Sequence, residues 1–558
     1  MLSGPSEETA EAAAEAVAEM DTAEKAGQIL VGQLGKEGTD PASIEELNLG
    51  GVIVMGDAVP TAADGTNDVD SLKARLQETQ QALSAERDWS GVIGVDQEGG
   101  LVARVQEPLT EWPTLMSYGA AATGAAGGAD GAEGTADSEQ LTTRGHAQMG
   151  SQLADLGFTL DFAPSVDVTV GETDPTIGAR SFSSDPELVA TLGRAATTGL
   201  LQAGVLPAPK HFPGHGSVTS DSHVTAPVQE SSVEELSGRD WMPLEALLGS
   251  ADADGSNVSA DSDGSAYTPM VMMGHIIVPE LEPDVPSSVS PAAYEALRDL
   301  GPGGYDGVVV TDALNMGALV ERYGPDEAPV QALAAGADLL LMPSSLPGAR
   351  DAVVEAVDTG EVPEDRLTEA AERVVTMLMW RDQLQEELAA ASPEELAQAG
   401  VAGAGDAAGA GGSADSADEA DPEQTSQEVS EAGVTMVDGT CGEPQVTDSL
   451  QITGGTAADR ARLAEAAESA GLTVGSGPVV HLLGSAREAG EGDVVVALDA
   501  PFGLARSSVP ADGALIALYG RTPGAFAVLV QVLTGQAEAP GALPVEVGEW
   551  PAGTGCSP

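Results

Sequence analysis

Polar residues with catalytic potential follow several short apolar segments of this chain. Carboxylate, amine and imidazole groups can bind a polar substrate, transfer a proton or attack an electrophile. If the apolar segments are parallel strands of one barrel, their carboxyl ends open onto the same face, where barrel enzymes keep their chemistry. We therefore expect one shared site from the residues that follow these segments, which are Asp96, Lys210, His211, His275 and Asp312.

A histidine-rich loop supplies the densest cluster. It reads Lys210-His211-Phe212-Pro213-Gly214-His215-Gly216, and Asp221-Ser222-His223 follows shortly after. His211 and His215 are four residues apart, but the Pro-Gly pair between them interrupts the helix that a metal-binding pair at this spacing needs. Asp221 and His223 can lie on one side of an extended loop, where the carboxylate fixes the tautomer of the imidazole and raises its basicity. This pair is predicted to be a general acid/base, with no metal.

Asp312 has two interpretations. It ends a segment of glycine and valine, so one side of its carboxylate is dry, and an ionised carboxylate there can attack an electrophilic carbon or stabilise a cation. Alone, an aspartate at this position is typical of the N-cap of a helix that begins near Leu314. The neighbouring histidine loop favours the catalytic interpretation.

The apolar segments also predict the fold. Continuous apolar strands that alternate with helical stretches indicate a parallel sheet covered on both faces. Eight such strands favour a (β/α)8 TIM-like barrel, and an open doubly wound sheet also fits the pattern. The predicted strands are 29–32, 51–55, 91–95, 158–162, 205–208, 270–273, 307–310 and 338–342.

Composition predicts the domain boundaries of this 558-residue α/β protein. The barrel occupies residues 1–395, with acidic, Gly/Ala-rich insertions near 120–137 and 249–265 that are expected to be solvated loops. It ends on a helix over Pro363–Gln385. An acidic, Gly/Ala-rich linker over 396–430 leads to a smaller α/β/α sandwich domain over 431–558. Its predicted elements are strands at 450–453, 494–498 and 514–518 and a helix at 456–470.

The charge balance limits the partners. Asp and Glu total 89 against 22 Lys and Arg, a formal net charge of -67. Nucleic acid is not an expected partner, because it requires a basic surface. The acidic excess is typical of a surface adapted to high salt. No apolar run is long enough to span a bilayer. No cofactor is predicted, and the sequence does not give the oligomeric state.

Cys441 and Cys556 are the only cysteines. They form either one disulfide or two separate thiols, and we expect the disulfide. Because disulfides persist in oxidising compartments, this favours an exported or cell-surface protein whose leader is not visible in this chain, although a cytoplasmic location stays open. Residues 1–20 have neither the basic start nor the apolar stretch of a signal peptide.

Several motifs resemble glycoside hydrolase family 3, and the lysine-histidine loop with Asp-Ser-His resembles its β-N-acetylglucosaminidase branch. The resemblance covers essentially the whole predicted barrel, and is weaker for the last domain. The other matching motifs are Asp96-Gln97-Glu98-Gly99-Gly100, Ile177-Gly178-Ala179-Arg180-Ser181-Phe182, Val310-Thr311-Asp312-Ala313-Leu314-Asn315-Met316 and Ala335-Gly336-Ala337-Asp338-Leu339-Leu340-Leu341-Met342-Pro343. Leu101 departs from the pattern, because the family usually has arginine after the Gly-Gly pair.

The resemblance implies a retaining β-N-acetylhexosaminidase that acts in two displacement steps. Asp312 matches the nucleophile that forms a glycosyl-enzyme intermediate. His223 matches the acid/base, and Asp221 matches its partner, in place of the usual second carboxylate. The positions that match those holding the sugar hydroxyls and the N-acetyl group are Asp96, Arg104, Arg180, Lys210 and His211.

Other functions remain open at this stage. A β-N-acetylglucosaminide phosphorylase is compatible with a His/Asp acid/base, because that pair repels phosphate less than a glutamate does. A β-glucosidase of the same family and a non-catalytic glycan-binding barrel are further alternatives. The expected substrate is a glycan that contains β-linked N-acetylglucosamine, and peptidoglycan fragments and chitin oligosaccharides are equally compatible with the motifs.

Overall fold

The computed structural model describes residues 2–127, 131–218, 226–249, 267–301, 303–392 and 421–556. Each of the eight segments predicted as barrel strands contains a strand. The strands before the linker are β1 Leu30–Gln33, β2 Gly51–Val54, β3 Val92–Val95, β4 Gln97–Gly99, β5 Val102–Ala103, β6 Leu160–Asp161, β7 Leu206–Pro207, β8 Lys210–Phe212, β9 Met270–Met273, β10 Val308–Thr311 and β11 Leu340–Leu341.

Helices alternate with these strands. They are α1 Glu7–Ala18, α2 Thr22–Gln28, α3 Pro41–Leu47, α4 Val69–Leu83, α5 Leu115–Gly127, α6 Gly131–Leu156, α7 Pro186–Gln202, α8 Val233–Ser237, α9 Met242–Leu247, α10 Pro291–Arg298, α11 Gly317–Tyr323, α12 Glu327–Ala335, α13 Leu346–Thr359 and α14 Glu364–Ala390. The helix predicted over 363–385 is confirmed as α14, and its predicted apolar face is buried. Short 3-10 helices lie at Gly56–Ala58, Gly171–Thr173, Gly178–Arg180 and Ser287–Val289.

The strands form a curled parallel sheet, as a TIM-like domain requires. One sheet has the order β11-β1-β2-β3-β6-β7 and a second has the order β10-β9-β8, and all neighbours within them are parallel. Two isolated parallel bridges, Ser165 with Lys210 and Val310 with Leu339, link the two sheets. Strands β4 and β5 form a separate antiparallel hairpin directly after β3. Since the strands are parallel, their carboxyl ends share one face.

The prediction of a solvated loop over 120–137 is wrong. Helix α5 covers 115–127 and helix α6 begins at 131, and Ala120, Ala121 and Ala122 are buried. Alanine has the highest helix propensity, and its small side chain allows close packing, so an alanine-rich segment need not remain in solvent. The insertion predicted near 249–265 falls almost wholly outside the described residues.

The C-terminal region is a second α/β unit. Its sheet has the order β12 (Thr435–Asp438), β16 (Ala514–Ala517), β15 (Val494–Ala497), β14 (Thr473–Leu483) and β13 (Ser449–Gly454), with β12 antiparallel to the rest. Its helices are α15 Pro422–Gly433, α16 Ala457–Ser469 and α17 Pro523–Leu533, with a 3-10 helix at Pro501–Arg506. Helix α15 begins at 422, within the segment predicted as linker.

The two faces of this sheet are covered differently. One apolar cluster joins the sheet to α16 and α17. The cluster on the other face combines the sheet, the Pro501–Arg506 turn and residues 543–547 with Met116, Ala120 and Ala179 from before the linker. Cys441 and Cys556 form a disulfide with a Cα–Cα distance of 5.8 Å. None of the helices in the described ranges is both long and apolar enough to cross a membrane.

Candidate active site

A line of alternating charges crosses the face where the parallel strands end. Asp96 directly follows β3, Glu98 lies in the hairpin strand β4, and Lys210 begins β8. Lys210 Nζ lies 2.9 Å from Asp96 Oδ1 and 2.6 Å from Glu98 Oε1. The lysine and Glu98 are almost fully buried, whereas the Asp96 side chain is 17% exposed, so the outer end of this line can reach a ligand.

Two arginines extend the line on either side. Arg180 donates from Nε to Glu98 Oε2 and from Nη2 to Glu98 Oε1, each at 2.8 Å, in a bidentate pair. Arg104 Nη2 lies 3.4 Å from Asp96 Oδ2. Glu98 pairs with Nε and Nη2 of Arg180, and the third guanidinium nitrogen, Nη1, lies outside this pair. The arrangement is a fixed set of charged donors and acceptors, which suits a ligand rich in hydroxyl groups.

The opposite charges in this network keep Glu98 and Lys210 ionised. Burial raises the pKa of the Glu98 carboxyl, but Arg180 and Lys210 lower it more, so it lies well below its ordinary value. Burial lowers the pKa of Lys210, but Asp96 and Glu98 raise it more, so it lies above its ordinary value. Both groups are therefore charged at neutral pH, and each depends on the other to remain so.

Replacing Glu98 with glutamine is expected to destabilise the protein by about 3 kcal/mol at pH 7, since it leaves buried cations without their shared carboxylate. The folded pKa of Glu98 is lowered, so its contribution is fully present above its unfolded pKa of about 4.3 and is lost as the pH falls through the folded pKa. Denaturant unfolding of both proteins at several pH values measures this difference.

Glu369→Gln is a matched control. Glu369 also pairs with two arginines, Arg366 and Arg373, but its side chain is 49% exposed. Its loss is expected to cost less than about 1 kcal/mol. Equal losses of stability in Glu98→Gln and Glu369→Gln would contradict the argument that burial makes the Glu98 carboxylate important.

His211 is held by a carboxylate that the sequence did not single out. Its Nδ1 donates to Asp167 Oδ2 at 2.7 Å, and Asp167 Oδ1 accepts from the backbone N–H of His215 at 2.6 Å. Burial raises the pKa of Asp167, but His211 lowers it more, to about 2. An ionised Asp167 fixes the tautomer of His211 and leaves Nε2 for a ligand. Burial lowers the pKa of His215 to about 4, so its imidazole is neutral at pH 7.

Asp312 follows β10, which lies next to β9 and is separated by it from β8; His275 comes two residues after β9, and His211 lies in β8. Its Oδ1 accepts from the Ala313 N–H at 2.7 Å, and its own N–H donates to the Met273 carbonyl at 2.8 Å. Burial raises the pKa of Asp312, but the charges of His275, His211 and Lys210 and the Ala313 N–H together lower it below its ordinary value. The carboxylate is therefore ionised at neutral pH, as a nucleophile must be.

The structure removes the capping interpretation of Asp312. The next helix, α11, begins at Gly317, and its N-cap is Met316, which makes no side-chain capping bond. His275, on the adjacent strand end, fixes the backbone beside the carboxylate: its Nε2 donates to the Ala313 carbonyl at 3.0 Å and its Nδ1 lies 2.7 Å from Ser288 Oγ.

The predicted substrate-binding residues meet in one place. The network described above contains Asp96, Arg104, Arg180 and Lys210, while His211 lies in β8 and Asp312 follows β10, with β9 between these two strands. Asp221 and His223 lie outside the described residues, so the predicted acid/base stays a prediction. Within the described residues, no group of three or more metal-ligating side chains is found.

Sequence reasoning missed two carboxylates. Glu98 stands inside a quoted motif but received no role, and Asp167 was not singled out. The only local signal for Asp167 is its place between two valines, Val166 and Val168, because a charge in an apolar run requires a partner. His275 was named as a strand-end residue without a role.

Comparisons with known proteins agree with the motifs. The profile of the glycosyl hydrolase family 3 N terminal domain matches residues 21–377. The chain belongs to glycoside hydrolase family 3. It is therefore a glycoside hydrolase, and a non-catalytic glycan-binding barrel no longer fits.

Individual proteins that are similar to this chain are named as hexosaminidases or N-acetylglucosaminidases. Beta-hexosaminidase LpqI of Mycobacterium tuberculosis is 31% identical over 363 residues, which cover 63% of this chain and 82% of that protein. A beta-hexosaminidase of Xanthomonas oryzae pv. oryzae is 34% identical over 271 residues, covering 48% and 72%. The solved family 3 beta-N-acetylglucosaminidase of Paenibacillus sp. is 26% identical with a TM-score of 0.73, and the match covers 94% of this chain and 98% of that structure.

Proposed function

We propose that this glycoside hydrolase is a retaining β-N-acetylhexosaminidase that removes terminal β-linked N-acetylglucosamine from peptidoglycan- or chitin-derived oligosaccharides. The observation that carries the proposal is the ionised Asp312 on the same face as the Asp96–Lys210–Glu98–Arg180 network. The names of the relatives support the N-acetylhexosaminide class.

The proposed reaction has two steps. Asp312 attacks the anomeric carbon and forms a covalent glycosyl-enzyme, while His223 protonates the departing glycosidic oxygen. His223 then deprotonates water, which attacks the same carbon and releases Asp312. The network of Asp96, Arg104, Arg180 and Lys210, with His211, orients the sugar ring for both steps.

We further propose the domain organisation on which this site depends. Residues 1–395 form a (β/α)8 barrel, supported by the two bridges that link the parallel sheets. An acidic linker over 396–421 joins it to an α/β/α sandwich domain that begins with α15 at Pro422 and extends to residue 558. The disulfide between Cys441 and Cys556 supports an exported or cell-surface location. The net charge of -67 supports an acidic surface adapted to high salt.

Substrate preference tests the proposed function. The kcat/KM for an aryl N-acetyl-β-glucosaminide is expected to exceed that for the matching aryl β-glucoside by about a hundredfold or more, because a site built to bond the N-acetyl group leaves polar groups unpaired when that group is missing. Initial rates on the two substrates, with the same leaving group, measure the ratio. Comparable values would place the chain among β-glucosidases.

The same assays with and without inorganic phosphate identify the acceptor. Hydrolysis gives free N-acetylglucosamine in both, while phosphorolysis gives the 1-phosphate when phosphate is present. The large negative charge of the chain disfavours capture of an anion, so we expect the free sugar.

A further inference from the structure

The loop that carries Arg180 is bonded to the C-terminal domain. This loop covers residues 169–184 and leads into α7. Ser183, which is buried, donates from Oγ to the carbonyl of Pro544 at 2.7 Å. The Ser184 N–H donates to the same carbonyl at 3.3 Å. The backbone just after Arg180 is therefore fastened to a residue more than three hundred positions away in the chain.

The backbone before Arg180 is held by the same domain. Ala179 is 2% exposed and belongs to the apolar cluster that joins the C-terminal sheet to Met116 and Ala120. Except for Met116 and Ala120, the other buried members of that cluster come from residues 437–547. Earlier in the loop, Glu172 forms an ion pair with Arg506. The C-terminal domain thus contacts the loop on both sides of Arg180.

The loop also has bonds of its own, which set its internal shape. Asp174 accepts from the N–H groups of Thr176, Ile177 and Gly178. Ser181 Oγ donates to the Asp167 carbonyl at 2.7 Å. These bonds form turns, and two bonds connect the loop to the His211 region: the Ser181 bond to Asp167, and a bond from the Val170 N–H to the Gly216 carbonyl at 2.9 Å. The contacts with the C-terminal domain add a further support from a distant part of the chain.

We infer that the C-terminal domain positions the sugar-binding arginine: through Ser183, Ala179 and Arg506 it holds the 169–184 loop so that Arg180 meets Glu98 and the substrate. This inference rests on the proposed function, since it takes Arg180 as a substrate-binding residue. Arg506 and Ser183 are positioning residues, because they act through Arg180 and do not touch the reacting atoms.

Two serines that bond across the same domain interface supply a matched pair. Ser183 Oγ donates to Pro544, in the loop that carries Arg180. Ser426 Oγ, on α15, donates to the Glu111 carbonyl at 2.6 Å, in a segment that carries no residue of the site. Both serines are buried. Replacing each with alanine in the full-length enzyme removes one interdomain hydrogen bond, and only the first affects the Arg180 loop.

For Ser183→Ala we expect KM for the aryl N-acetylglucosaminide to rise about fivefold with kcat within about twofold, because a lost positioning bond weakens substrate and transition state alike. Ser426→Ala is expected to leave KM unchanged. Both variants are expected to lower the midpoint of thermal unfolding by a similar amount, since each loses one interdomain hydrogen bond. Backbone amides 176–184 are expected to exchange with deuterium faster in Ser183→Ala alone. A rise of KM in both variants, or in neither, would overturn the inference.

A second pair covers the case in which Ser183→Ala does not fold. Arg506→Gln breaks the ion pair with Glu172, and Arg462→Gln breaks a different interdomain pair, with Glu111. Only Arg506→Gln is expected to raise KM and to speed exchange in the loop, and Arg506→Lys is expected to restore both. Faster exchange in both variants, or in neither, would overturn the inference. Since exchange needs no substrate, this outcome stays separate from a failure of the proposed function, which would show as a wild-type enzyme inactive on the N-acetylglucosaminide.

Discussion

Replacing Asp312 with asparagine is expected to lower kcat/KM by about a thousandfold or more while the protein stays folded. The structure leaves Asp312 no capping role in α11, and His275, His211, Lys210 and the Ala313 N–H together hold its pKa below the ordinary value. An amide cannot form the covalent intermediate, so the loss falls on the chemical step. Steady-state kinetics with an aryl N-acetyl-β-glucosaminide measure it.

Asp326→Asn is the control for this variant. Asp326 precedes α12 and makes no side-chain capping bond, and it lies in the same connection between β10 and β11. Its replacement is expected to leave kcat/KM unchanged. Near-normal activity of Asp312→Asn, or a similar loss in both variants, would remove Asp312 from the role of nucleophile.

Replacing His223 with alanine is expected to have an effect that depends on the leaving group. For a natural disaccharide, which needs its departing oxygen protonated, the loss should be on the order of a thousandfold. For an aryl glycoside with a leaving group of low pKa, formation of the glycosyl-enzyme should be affected much less. Deglycosylation would then limit the rate, and azide should restore part of it.

Asp221→Ala provides the comparison. His223 remains in this variant but loses its orienting partner, so a milder loss of the same kind is expected. The losses of the single variants should not add in the double variant, since the two residues act as a unit. An equal loss on both substrate types for His223→Ala, without rescue by azide, would assign proton transfer to another group at the barrel mouth and leave the Asp-Ser-His loop as a substrate clamp.

The strands and their polar ends could be predicted from sequence because their signals are local. Buried parallel strands are continuous apolar runs, and a polar residue at the end of such a run falls on the face where the strands end. Asp96, Lys210 and Asp312 were found in this way. The motifs then supplied Arg104 and Arg180, whose own surroundings carry no pattern of this kind.

The partners of these residues could not be predicted, because they are distant in the sequence. Glu98 meets Arg180 across 82 positions, and Asp167 meets His211 across 44. No periodicity connects positions so far apart. The support that Pro544 gives to the Arg180 loop is hidden for the same reason, since it depends on how two domains pack.

The prediction of a solvated loop in the alanine-rich segment near 120 was wrong for a different reason. Its composition matches that of a flexible linker, and the sequence does not reveal that a second domain lies against it. In the structure Ala120 joins the apolar cluster beneath the C-terminal sheet, so burial by a distant part of the chain stabilises the helix. Low complexity alone therefore does not distinguish a solvated tract from a tightly packed helix.

Covalent labelling of Asp312 tests the proposed mechanism most directly. A 5-fluoro N-acetylglucosaminyl fluoride slows both steps, while its good leaving group keeps formation of the glycosyl-enzyme faster than its breakdown. Intact-protein and peptide mass spectrometry of the treated wild-type enzyme should show one sugar per chain, attached to Asp312, and no label in Asp312→Asn. A label on a different carboxylate, or turnover of the reagent with no covalent adduct in the wild-type enzyme, would contradict the assignment.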